Sequence, residues 1–386
     1  MTVSPSYFDK MTQPRPLFVL ALIAATAAAP ALAQQTFETE RLTVRTQVLA
    51  DGLEHPWGLD FLPGGDAIVT ERPGRMRLLS QGRLSEPIEG VPEVHAQGQG
   101  GLLDVLAASD FADSGTIFFS YAEPGPGGAG TAVARARLVR DGAPHLEDVR
   151  VIFSMPNKAR TRLQFGSRIV EAPDGTLFVT IGDQGVAERA QDPADAAGTV
   201  LRIAKDGSIP AGNPGISGWL PQIWSIGHRN PEGAAWDPLT DALWTVEHGA
   251  QGGDEVNRPE AGRNYGWPVI SYGRNYNGSK IGEGTEKDGY EQPLFYWDPS
   301  IAPAGMAIYD GDMFPEWRGD LLVAALKFQL VSRLDRDESG RIRGEERLFE
   351  NAFGRIRDVN VAPDGSVWLL TDEADGAIIR LSRRDP

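Results

Sequence analysis

The chain has 386 residues, a formal net charge of −16 and a pI near 4.8. A surface of that sign repels nucleic acid and anionic membranes, which excludes both as partners and suits a neutral substrate. There is no cysteine, so disulfides are ruled out, as is a covalent c-type haem, which needs a C-x-x-C-H site.

Residues 1–33 stand apart. Lys10 and Arg15 precede an apolar run from Leu17 to Ala31, and Ala31-Leu32-Ala33 closes it just before Gln34. This pattern predicts a secretory signal peptide with an A-x-A cleavage site. The run is shorter than the ~20 residues of a spanning helix, so the mature chain is expected in the periplasm with no membrane span. Without disulfides, its stability must come from packing and bound metal.

From residue 34 onward the chain repeats itself. A turn rich in Pro, Gly, Asp or Ser, followed by a short β-forming run, recurs from Leu62, Ala107, Ala172, Asp237, Met313 and Ala362. A second apolar hairpin follows each copy, as in RMRLL from Arg75, GTVLRI from Gly198 and AIIRL from Ala377; the fourth copy is the least regular. Four-stranded units at such spacing, with almost no helical periodicity, predict an all-β fold. The expected architecture is one six-bladed β-propeller of four-stranded antiparallel blades over residues 34–386. A solenoid is the alternative, but the irregular spacing fits blades that carry long loops. Runs such as LFVTI and DLLVAAL are apolar on both faces, as stacked sheets require. The polar segment 34–40 is expected to pair with the last blade. An aperiodic insert at about 264–299, rich in Gly, Asn and Tyr, is expected to form a wall of the active site.

The stretch from Trp224 to Trp267 holds the densest chemistry. It contains a Gly-flanked His228-Arg229-Asn230 unit, a short strand around Ala242 to Val246, and the acidic pair Asp254-Glu255 past a Gly-rich turn. GHRNPEG from Gly227, EHG from Glu247, GGDE from Gly252 and NYGWP from Asn264 follow in that order. In these motifs the chain resembles the soluble PQQ-dependent glucose dehydrogenases and, more closely, the PQQ-dependent aldose sugar dehydrogenases.

PQQ is a tricarboxylate o-quinone, and a site for it needs cations, a polarising divalent metal and a base near the sugar carbon. The resemblance implies that Gln99, Arg229, Asn230, Lys327, Arg355 and Arg357 surround the cofactor. It also implies Ca2+ held to PQQ by the backbone carbonyls of Gly249 and Ala250. A second, structural Ca2+ would lie at Asp254, Glu255 and the Tyr265 carbonyl; oxygen ligands suit this ion. The activity implied is oxidation of the C1 hydroxyl of soluble aldoses to lactones, with electrons passed to an external cytochrome or quinone. Arg229 would stabilise the developing negative oxygen.

At one position the chain departs from these relatives. The family's base is the histidine of an H-x-x-x-R segment, and here LQFGSR places Gln164 there. An amide orients a hydroxyl but cannot take its proton near neutral pH. Among the histidines, His228 and His248 lie in the motif but stand there also in relatives that keep the base, His95 is either a substitute reaching the same mouth or, by preference, a solvated loop residue, and His55 and His145 read as loop residues. Trp297, in WDPSIAPAG, is either an aromatic near cofactor and sugar or a core residue. Asp335 to Gly340 with Glu346 matches EF-hand spacing, although its alternation favours a β-hairpin. Two other functions fit parts of the sequence: a catalytically weak PQQ or sugar binder, motivated by Gln164, and a calcium-dependent lactonase, which would use carboxylates around a central metal.

Overall fold

The computed structural model describes Met1 and residues 34–384, so the expected signal peptide beyond Met1 lies outside the described residues. Each repeated turn joins the two innermost strands of a blade. Between Pro56–Phe61 and Ala67–Glu71 the turn needs Gly64 and Gly65 at φ +97° and +90°, a region glycine enters without steric penalty. In the third and sixth blades the Asp174 and Asp364 carboxylates accept the Thr176 and Ser366 N–H groups at 2.9 Å, the Asp turn that these residues favour.

Six antiparallel sheets result, five of four strands and one of five. Their inner strands are Pro56–Phe61, Leu102–Ala107, Gly166–Glu171, Pro231–Asp237, Pro303–Ile308 and Ile356–Val361. Each packs on the next and the last packs on the first, closing a six-bladed propeller. The chain ends meet in the sixth blade, where Thr43–Leu53 pairs with Gly376–Arg383 and Gln35–Glu38 adds an outer strand. The segment expected to join the last blade does so. Pairs of adjacent blades share each of the larger apolar clusters: Phe118 and Val133 of the second blade pack with Ile169 and Val179 of the third, for example. That explains strands apolar on both faces.

The third residue of each inner strand reaches one level of the axis. Three are charged, and Arg168 lies 2.7 Å from Asp104 Oδ1 and 3.0 Å from Asp358 Oδ1. The other three are Gly58, Gly233 and Gly305; a Cβ at Gly58 would stand 2.7 Å from Asp104 Oδ1, and one at Gly305 would collide with the Asp358 carboxylate. Gly58 and Gly305 make room for a buried ion triad that plugs the axis.

The insert lies within the fourth blade, between Asp254–Asn257 and Phe295–Trp297. Its end is therefore not loop but that blade's outer strand. Trp297 is a core residue there, buried with Trp244 and Val256, and its Nε1–H donates to Glu345 at 2.9 Å. The EF-hand-like segment is a hairpin of Leu330–Arg336 and Ile342–Leu348. No helix among the described residues is long and apolar enough to cross a membrane.

Candidate active site

Two chain positions per blade feed one end of the axis: the start of the inner strand and the residues just after the second strand. The first position supplies His55, Gln99, Gln164, Arg229, Asn230 and Arg355; the second supplies Arg72, Asp183, His248, Lys327 and Asp372. The cations expected from separate blades are thus brought to one mouth.

Arg357, on the inner strand of the sixth blade, donates to Glu232 Oε2 of the fourth blade and, at 2.6 Å, to Asp372 Oδ2. Burial pushes the Glu232 carboxyl up, but Arg357 and His248 outweigh it and hold it at about 2. Asp372 is likewise held well below the usual carboxylate range, because Arg357 overcomes its burial. Arg355 is exposed, with Nη2 3.5 Å from Asp372 Oδ2. The Lys327 ammonium sits over the Phe328 ring at 4.9 Å, and among the described residues no carboxylate lies within ion-pair distance of it.

On the opposite side Arg229 is fixed from three directions. Its N–H donates to Glu247 Oε2 at 2.6 Å, its Nη1 donates to the Gly249 carbonyl, and its guanidinium lies 5.2 Å from the Trp267 ring centroid. Asn230 Oδ1 accepts the Gly166 N–H at 3.0 Å, while Nδ2 donates to Glu232 Oε1 at 2.9 Å. Gln99 Oε1 accepts the Gln164 N–H at 2.5 Å. Gln164 is buried at φ +57°, and its carbonyl accepts the Gln184 N–H.

His228 is fully committed: Nδ1 is 2.9 Å from Glu247, Nε2 is 2.9 Å from Ser225 Oγ, and the ring stacks on Tyr265. His248 Nε2 lies 3.4 Å from Glu232 Oε2 without a hydrogen bond. Sequence reasoning assigned His55 no role, yet its Nδ1 is 3.0 Å from Asp372 Oδ1. It missed Arg72, Asp183, Glu232 and Asp372 as well; Arg72 acts on Asp372 through its charge. The usable signal was repeat position, since Arg72 and Asp372 both directly follow their second strand.

Beside Arg229 a small cavity is lined by Glu247, Gly249, Glu255, Tyr265 and Trp267. Burial, then the Glu247 carboxylate, pushes Glu255 up to about 8, and the buried Asn257 Oδ1 has no donor. Acceptors in excess fit a cation. Asp254 is occupied by the fold: Oδ1 accepts the Gly249 N–H at 2.7 Å, and Oδ2 accepts those of Ile301 and Ala302. Ala250 is buried beside Gly249. At the mouth the excess is of donors, for the buried Nε atoms of Arg229 and Arg357 have no partner. That set suits a polyanion.

Residues 53–380 match the family described as Glucose / Sorbosone dehydrogenase. This chain belongs to that family. It is 44% identical over 352 residues to the aldose sugar dehydrogenase YliI of Escherichia coli (strain K12), covering 89% of this chain and 94% of the relative. Among solved structures, the apo soluble aldose sugar dehydrogenase from Escherichia coli is 43% identical with a TM-score of 0.86, covering 88% of this chain and all of the other. The PQQ-bound aldose sugar dehydrogenase from Streptomyces coelicolor is 26% identical with a TM-score of 0.73, over 92% and 100% of the two chains. The glucose/sorbosone dehydrogenase motifs read in the sequence thus sit at the mouth and the adjoining cavity.

Proposed function

We propose that this protein is a PQQ- and calcium-dependent dehydrogenase that oxidises the C1 hydroxyl of soluble aldoses to lactones. In this reading it is exported to the periplasm through its signal peptide, and electrons leave to an external cytochrome or quinone. What supports the reading is that Arg229, Lys327, Arg355 and Arg357, from three blades, all lie at the same end of the axis.

When bound, PQQ supplies a two-electron acceptor that calcium polarises. Lys327 and Arg355, exposed and facing no strong local anion apart from Asp372, hold its carboxylates. Arg357 and Arg229, locked by Glu232, Asp372, Glu247 and Trp267, present fixed positive charge that needs no reorganisation during reaction. Gln99 and Asn230 brace the Gln164 and Gly166 backbone. Calcium ligation by the Gly249 and Ala250 carbonyls requires the Gly249 oxygen to be shared with, or released by, Arg229. Glu255 and the Tyr265 carbonyl supply oxygen to the second ion, with Asp254 anchoring the loop.

Gln164 orients the sugar hydroxyl but leaves its proton without a base at that position, and a positioned base is worth about 10²- to 10⁴-fold. The reading therefore includes slow turnover. Purified apoprotein given PQQ and Ca2+ should reduce a dye with aldoses and release lactone. Cofactor uptake without turnover on any sugar would favour a binder, and lactone hydrolysis without PQQ would favour the hydrolase. The cationic mouth argues against the latter.

A further inference from the structure

At the opposite end of the blades, between the third and fourth, lies a groove of about 580 Å³. It is remote from the mouth along the strands: its walls come from Asp174, beyond Glu171↔Leu177, from Asp241, beyond Asp237↔Ala242, and from Arg258, just after Asn257. The buried apolar cluster shared by these blades is small, with Trp224 and Trp236 only partly covered. Phe178 ties the two indoles together, edge-on to Trp224 at 5.3 Å and stacked with Trp236 at 6.1 Å. Trp224 is held by its Nε1–H donating to the Pro259 carbonyl at 2.9 Å.

The rim carries two ion pairs and the exposed carboxylate of Asp241. Arg202 lies 5.3 Å from the Trp224 ring centroid and 2.5 Å from Asp174, and Arg258 is 3.0 Å from Glu260. A fixed aromatic wall beneath paired guanidinium and carboxylate groups offers an apolar face for C–H bonds and both donors and acceptors for hydroxyls. Asp241, without an ion-pair partner among the described residues, disfavours an anionic ligand and adds an acceptor for hydroxyls. A volume of about 580 Å³ lies in the range of small organic ligand sites.

We propose that this groove is a second, non-catalytic carbohydrate site, which takes a neutral pyranoside of one or two rings stacked on Trp236. It stands apart from the dehydrogenase reading, because the groove shares no residue with the mouth.

Methyl β-cellobioside is the probe, since its blocked C1 oxygen cannot be oxidised to a lactone. Binding to the full chain loaded with PQQ and Ca2+ is followed by calorimetry, alongside Trp236→Ala and the surface variant Arg258→Ala. Saturable binding is expected, weakened about tenfold by Trp236→Ala and measurably by Arg258→Ala, with kcat on an aldose unchanged in the Arg258 variant. Absence of binding, or equal affinity in Arg258→Ala and in a folded Trp236→Ala, would overturn the proposal, the latter placing the sugar at the mouth. Loss of dye reduction in the unaltered protein, with probe binding intact, would sink only the dehydrogenase reading.

Discussion

At the scale of single residues, the mouth separates cations that serve the fold from cations left for a ligand. Arg357 bridges two buried carboxylates, Glu232 and Asp372, so Arg357→Ala removes the guanidinium they share and should cost about 3–5 kcal/mol of stability, read in urea unfolding. Lys327 has no such duty. Lys327→Ala should leave the urea midpoint unchanged while weakening PQQ uptake. Glu232 is held at about 2, below its ordinary 4.5, so its contribution is full above the unfolded value and drains away as pH falls from about 4.5 towards 2. Stability measured across that interval should drop by about 3 kcal/mol for this group, a drop absent in Glu232→Gln. Gln164→His places an imidazole at φ +57°, a region histidine tolerates better than most residues. That variant should turn over about 10²-fold faster or more; an unchanged kcat would show that another group already takes the proton.

At the scale of elements, the sixth blade depends on both chain ends. Val44 and Leu53 are wholly buried where Thr43–Leu53 covers Gly376–Arg383. A chain beginning after Leu53 would expose that strand edge and part of the core, and exposed edges pair with other chains. Size-exclusion chromatography of such a truncation should show aggregation or an unfolded monomer; a monomer with unaltered thermal unfolding would contradict the closure described. The blades themselves were legible, because turn chemistry and two-faced apolar strands repeat six times. The outer strand Phe295–Trp297 was not, since three residues at the end of an aperiodic insert carry no pattern of their own. Trp297 could be settled only by its sheet partner, Asp254.

At the scale of the whole molecule, propeller closure turns distant residues into neighbours. Arg229, Lys327 and Arg355 were readable through motifs, whereas Arg72, His55 and Asp372 were not, because each is an ordinary turn residue until the ring closes. The axial triad was equally hidden: nothing local in Asp104, Arg168 or Asp358 marks them as partners across three blades. The same closure left the aromatic groove between the third and fourth blades, built from Trp224, Trp236 and Phe178. In the proposed function, cations from several blades hold one anionic quinone. Titrating PQQ into the apoprotein with Ca2+ present tests this most directly. Saturable uptake of one PQQ per chain, weakened in Lys327→Ala and in Arg229→Ala, is the predicted result; no uptake, or uptake indifferent to both substitutions, would contradict it.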